Sequence, residues 1–195
     1  MAALPSVYPT DSSVYNGKEV SAEIAAARLL RKKRHAECTN IIFVDLNGVL
    51  GAKVPLDSPL AEGSDYCTTY CRFKERPDAI GFVRHLQSLG FYVVIYTSME
   101  KHNATNIIEK MGMTYVIDGV LSRDHCSTKS FDGVARKSIQ YALKYLRLDH
   151  RIHEEDCYII DDSKEKLSLV SEHCRVVVKT YDPSDPNDSA YDLMK

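Results

Sequence analysis

Ile41-Ile42-Phe43-Val44-Asp45-Leu46-Asn47-Gly48-Val49-Leu50 is the stretch on which the fold turns. Four consecutive β-branched or aromatic residues, 41–44, suit a strand covered on both faces, as in a parallel sheet. The run stops on a carboxylate, an amide two residues later, and a glycine that permits a sharp exit. Open parallel sheets bind ligands at the carboxyl ends of their strands. Asp45 therefore stands where a ligand would bind, and the remaining chain is expected to supply its partners.

Around this stretch, 195 residues with 44% apolar and 27% charged content make one domain with a full core, plus a short appendage. A net charge of -2 gives no global electrostatic case for nucleic acid or an anionic membrane as the main partner. No apolar run approaches the ~20 residues of a membrane span, and the N-terminus lacks the basic-then-apolar order of a secretory signal. Six cysteines, Cys38, Cys67, Cys71, Cys126, Cys157 and Cys174, fit reduced thiols in a cytoplasmic or nuclear protein. Cys67 and Cys71 have no second pair at zinc-ligand spacing.

Residues 1–18 show no periodicity and are expected to form a loose arm. Ser21 is a candidate cap for a helix with Ile24, Ala25, Leu29 and Leu30 as its apolar stripe, ending in Arg31-Lys32-Lys33-Arg34-His35. That basic run complements the helix dipole, or serves nuclear targeting or phosphate contact. Residues 51–69 form a long polar insertion of the kind that is usually functional. Residues 70–75 alternate like a short strand. Pro77 opens a helix with Ile80, Phe82, Val83, Leu86 and Leu89 on its buried stripe and Gly90 as its stop.

Residues 91–96 form a second apolar strand ending on Thr97-Ser98, followed by a helix over about 103–111. A third strand is expected over 115–121 with a bend at Gly119, a helix over 134–148, and a fourth strand over 157–160 ending on Asp161-Asp162-Ser163. Helical character over 167–170 and a fifth strand over 175–179 complete the order. Strand and helix alternate throughout, so the fold is α/β: a mainly parallel, Rossmann-like sheet with helices on both faces and a small insertion after strand one.

Three strands thus end in polar groups at one sheet edge: Asp45 with Asn47, Thr97 with Ser98, and Asp161 with Asp162. Carboxylates from separate strands, without a matching set of histidines or cysteines, suit a hard cation such as Mg²⁺. A carboxylate beside Mg²⁺ can also act as a nucleophile toward phosphorus. Taken singly, each of these residues reads more readily as an ordinary turn or capping residue than as a ligand, and Thr97 with Glu100 fits a capping box.

Jointly, Asp45-Leu46-Asn47-Gly48-Val49, Thr97, a lysine before the fourth strand and Ile159-Ile160-Asp161-Asp162-Ser163 resemble the four motifs of the haloacid-dehalogenase-like superfamily. Arg76-Pro77, Tyr96-Thr97-Ser98, Arg123-Asp124-His125-Cys126 and Asp132-Gly133-Val134-Ala135-Arg136-Lys137 are similar, more narrowly, to the RNA polymerase C-terminal-domain phosphatases. The phosphatase-like receptor subunit of the mitochondrial inner-membrane translocase belongs to that group. The resemblance covers residues 41–195 and leaves residues 1–40, the arm and basic helix, outside.

The resemblance implies a Mg²⁺-dependent phosphomonoester hydrolase acting on phosphoserine or phosphothreonine in a protein or peptide. It makes Asp45 the nucleophile, with Mg²⁺ held by Asp45, Asp161, Asp162 and the main-chain carbonyl of Asn47. Thr97, Ser98 and a lysine then bind the phosphoryl group. Lys137 and Lys144 compete for that lysine. A helix returning after strand three begins near the strand ends, and Lys144 lies about 10 Å further down it, which favours Lys137.

Asn47 departs from the family pattern, which has an aspartate there as general acid and base. An amide cannot exchange a proton usefully near neutral pH. Three consequences are open: a flap residue such as Asp57, Glu62 or Asp65 substitutes as acid; the domain is a pseudophosphatase that binds phosphate or protein; or aspartate was exchanged to trap the intermediate. A small-molecule or nucleic-acid 3′-phosphatase shares the same motifs. His102, His125 and His153 are expected on the surface, and oligomeric state is not legible.

Overall fold

Runs of β-branched and aromatic residues become strands because a pleated surface covered on both sides accepts them without a polar face. The computed structural model describes residues 22–67, 72–127 and 132–194. In chain order its elements are α1 (Ala22–Glu37), β1 (Ile41–Val44), β2 (Gly51–Val54), β3 (Tyr66–Cys67), β4 (Arg72–Glu75), α2 (Ala79–Ser88), β5 (Tyr92–Tyr96), α3 (Lys101–Lys110), β6 (Gly119–Leu121), α4 (Ile139–Leu146), β7 (Cys157–Asp161) and β8 (Arg175–Val177).

Five strands form a parallel sheet in the order β6-β5-β1-β7-β8. β1 is central, with Phe43 beside Val94 on one side and Ile159 on the other. Alternate residues of β1 face opposite layers. Ile42 and Val44 pack with Phe82, Val83 and Leu86 of α2 and Ile107 of α3. Ile41 and Phe43 pack with Ile139, Leu143 and Leu146 of α4. The fold class is therefore the expected Rossmann-like α/β arrangement.

The insertion is more ordered than its polar composition suggests. β2, β4 and β3 make a three-stranded antiparallel sheet that forms a flap beside the carboxyl end of β1. Gly51 allows the Phe73 ring to close over β2, since a Cβ there would lie 2.3 Å from the ring. Residues 70 and 71 of the expected strand, with Cys71, lie outside the described residues, as do the arm and Ser21. The described cysteines are free thiols, and no helix among the described residues is long and apolar enough to cross a membrane.

Several local expectations need correction. Leu29 and Leu30 of α1 are exposed, so the helix does not dock through an apolar stripe. It docks instead through its basic run. Arg34 donates to both oxygens of Asp118 at 2.7 and 2.9 Å, and His35 meets the Tyr92 ring edge-on at 5.8 Å. In α2, Leu89 is exposed at the helix end while Phe82, Val83 and Leu86 are buried.

Residues 113–115 form a 3-10 turn that buries Met113, so the third strand begins only at Gly119. The helix expected over 134–148 begins at Ile139, capped by Ser138, because residues 136 and 137 are held extended. Arg136 pairs with Ser127, and Lys137 N–H donates to the Lys166 carbonyl at 2.8 Å. That same bond occupies a carbonyl that a helix over 167–170 would use, and the segment forms turns.

Candidate active site

Ladder bonds at the ends of three neighbouring strands set the site. Asp45 N–H donates to Ile160 O at 2.9 Å, Thr97 N–H to Leu121 O at 2.9 Å, and the Asp161 carbonyl accepts Val178 N–H at 3.0 Å. These bonds fix Thr97, Asp45 and Asp161 along one edge, and all three are buried. The Thr97 hydroxyl accepts Met99 N–H at 3.2 Å, which leaves its proton available.

Lys137 enters from the extended segment before α4. Its Nζ lies 2.5 Å from Asp161 Oδ2 and 3.1 Å from Asp45 Oδ1, 5.6 Å above the Tyr96 ring, with none of the side chain exposed. Lys144, in the last turn of α4, is exposed. The two rival lysines thus separate by geometry, though the helix starts too late for the reason inferred from spacing.

A second lysine was not anticipated. Lys166 Nζ lies 3.0 Å from Asp45 Oδ2, 3.5 Å from Asp162 Oδ1 and 3.6 Å from Asp161 Oδ1. Burial works to raise the Asp45 pKa, but Lys137 and Lys166 overcome it and hold the carboxyl below its ordinary value. Burial pushes Asp161 upward, aided by the Asp45 charge and opposed by Lys137. Desolvation opposes the Lys166 charge, yet Asp45 and Asp161 raise its pKa above that of an ordinary lysine.

The donor set fits Mg²⁺. Carboxylate oxygens of Asp45, Asp161 and Asp162 lie within 4.8 Å of one another, and hard oxygens are what this ion prefers. Asp162 Oδ1 is buried without a hydrogen bond, while Oδ2 accepts the Thr180 hydroxyl at 2.9 Å. Gly48, at φ +95°, makes room for that carboxylate, because a Cβ would lie 2.2 Å from Asp162 Oδ2.

Asn47 is half-buried beside these groups, and its side-chain oxygen accepts Lys53 N–H of the flap at 2.8 Å. Ser98 is half-buried next to Thr97, with its carbonyl taken by Arg123 Nε at 2.8 Å. Of the flap acids, Asp65 is bound within the flap by Glu75 N–H at 2.7 Å and Lys74 at 3.2 Å, while Asp57 and Glu62 are exposed. His102 and His153 are exposed. His125 is half-buried, with Nδ1 2.9 Å from Ser122 N and its ring edge-on to Tyr145 at 4.4 Å.

The C-terminal segment completes the surroundings. Tyr181 N–H donates to Gly48 O at 2.8 Å, and buried Arg76 forms an ion pair with Asp188 and reaches Val49 O at 3.3 Å. Thr180, Tyr181, Asp188 and Lys166 carry no signal in the sequence, since each lies in a polar stretch without periodicity. Chemically, the edge presents an ionised carboxylate, a fixed ammonium, a hydroxyl with a free proton and a hard-cation donor set.

A model of the NLI interacting factor-like phosphatases matches residues 40–195. No curated protein matches the chain. Among solved structures, the essential RNA polymerase II CTD phosphatase Fcp1 superposes with a TM-score of 0.51 at 17% identity, covering 81% of this chain and 45% of that one. A variant of fission yeast Fcp1 bound to beryllium fluoride gives 0.52 at 16% identity, covering 80% and 44%. The chain spans less than half the length of either. At such identities the likeness concerns the fold.

Proposed function

The chain belongs to the NLI interacting factor-like phosphatases of the haloacid-dehalogenase-like superfamily, and on that premise we propose a Mg²⁺-dependent phosphomonoester hydrolase with slow turnover. Its substrate is phosphoserine or phosphothreonine in a protein or peptide. Residues 41–195 form the phosphatase domain and residues 1–40 its appendage. Reduced thiols suit a cytoplasmic or nuclear setting.

Asp45 is the nucleophile. A carboxylate oxygen bonds to phosphorus, the bond from phosphorus to the serine or threonine oxygen breaks with that oxygen taking a proton from water, and phospho-Asp45 remains. Water then opens that acyl phosphate, releasing phosphate and restoring Asp45. Lys137 keeps Asp45 ionised and fixed, while the Thr97 hydroxyl and the neighbouring Ser98 bind the phosphoryl group. Asp45, Asp161, Asp162 and the Asn47 main-chain carbonyl would hold Mg²⁺, which when bound would supply charge neutralisation at the phosphoryl oxygens. Asn47 can neither protonate the leaving oxygen nor activate water, which costs about 10²–10⁴-fold in rate.

The observation that carries this reading is the buried Asp45–Lys137 pair beside Thr97 and Asp161 on one sheet edge. A second reading, a pseudophosphatase that binds phosphate or protein, is favoured by Asn47, whose side-chain oxygen is engaged by the flap. Phosphoserine and phosphothreonine peptides incubated with the chain and Mg²⁺ distinguish them. Phosphate release that stops on chelation and in Asp45→Asn supports the hydrolase. Peptide binding without release supports the second reading.

A further inference from the structure

We infer that the Lys166 ammonium is a built-in occupant of the Mg²⁺ seat, so that the metal binds only by displacing it. The inference rests on the metal assignment in the proposed function and adds a residue that governs it. Lys166 Nζ lies at 3.0, 3.5 and 3.6 Å from one oxygen each of Asp45, Asp162 and Asp161. These are the three carboxylates whose oxygens gather within 4.8 Å. One cation centred on three converging carboxylates excludes another from the same place by direct charge repulsion.

The two lysines of the site are not equivalent. Lys137 is fully enclosed and bridges Asp45 and Asp161 from the side of Tyr96. Lys166 retains 20% exposure, and its head group can leave toward solvent without moving the loop. The backbone stays tied, because the Lys166 carbonyl accepts Lys137 N–H at 2.8 Å and Lys166 N–H lies 3.4 Å from Ser163 Oγ.

Charge balance points the same way. Three carboxylates offset by the fixed Lys137 leave an excess of two negative charges, which a divalent ion matches. Lys166 neutralises only half of that excess, and Asp162 Oδ1 is left without a hydrogen bond. The lysine is therefore a partial counter-ion that keeps the acidic cluster tolerable until the metal arrives. Wild-type affinity for Mg²⁺ is accordingly low, and phosphate-site loading depends on the local Mg²⁺ concentration.

Calorimetric titration of the full chain with MgCl₂ tests this in wild type, Lys166→Met and Lys166→Gln, with exposed Lys164→Met as control. Both Lys166 variants should bind Mg²⁺ about tenfold more tightly or better, and the control should match wild type. Without metal, the Lys166 variants should melt lower than wild type, and Mg²⁺ should raise their melting temperature more. The glutamine variant keeps the test in force if the methionine variant does not fold. Equal or weaker Mg²⁺ binding by the Lys166 variants overturns the inference and leaves the metal site standing. Absence of Mg²⁺ binding in all of them overturns both.

Discussion

Lys137 Nζ stands 3.1 Å from Asp45 Oδ1 with neither side chain exposed. Removing one partner of a buried, multiply bonded charge pair typically costs about 3–5 kcal/mol, because the other charge is left uncompensated. Lys166 still stands 3.0 Å from Asp45, so Lys137→Met should lower stability by no more than about that amount, and it should abolish phosphatase activity. Lys144→Met, on the exposed face of α4, should change stability by less than about 0.5 kcal/mol. Urea unfolding of both variants checks the contrast, and equal effects would contradict it.

Gly48 has φ +95° and faces Asp162. Alanine there imposes a strained backbone worth about 1–3 kcal/mol and drives its Cβ into the Asp162 carboxylate. Gly48→Ala should lose both stability and Mg²⁺ affinity. A Gly48→Ala protein with unchanged Mg²⁺ titration would show that Asp162 does not need its observed position.

Burial holds the His125 imidazole below its ordinary pKa, and the Ser122 N–H at 2.9 Å requires an unprotonated Nδ1. The folded state thus binds fewer protons than the unfolded state around the ordinary histidine value. Its contribution is full above the unfolded pKa of about 6.5 and is lost as pH falls through the lower folded value. Wild type should lose more melting temperature than His125→Gln between roughly pH 7.5 and 5.5. Parallel melting curves across that window would refute the assignment.

Arg34 anchors α1 to Asp118 and to the Phe91 carbonyl, at 2.7 and 2.5 Å. Charge-assisted hydrogen bonds of this kind contribute about 1.5–3 kcal/mol. Arg34→Ala should speed amide exchange through Ala22–Glu37 and destabilise the domain, whereas exposed Lys33→Ala should do neither. Hydrogen exchange read by mass spectrometry separates the two, and protection retained in Arg34→Ala would mean that α1 is held by other contacts.

The sheet was legible because residues 41–44, 92–96 and 157–160 are continuous apolar runs rich in β-branched and aromatic residues, a pattern that suits a covered parallel strand. Asp45, Thr97 and Asp161 were legible because polar residues close those runs. What the sequence concealed depends on contacts between distant segments. The late start of α4 follows from the Lys137–Lys166 backbone bond, which leaves no local mark. The docking of α1 through Arg34 rather than Leu29 and Leu30 depends on Asp118, just before β6 and 84 residues away in sequence. Lys166 looks like any turn lysine until its head group is placed among three carboxylates.

The proposed hydrolase stands on Asp45 as the phosphoryl-transfer nucleophile and on Asn47 as the residue that limits its rate. Hydrolysis of para-nitrophenyl phosphate with Mg²⁺, measured in wild type, Asp45→Asn and Asn47→Asp, addresses both residues in one assay. Slow turnover is expected in wild type, none in Asp45→Asn, and a gain of about 10²–10⁴-fold in Asn47→Asp. Hydrolysis that survives Asp45→Asn unchanged would contradict the role of Asp45.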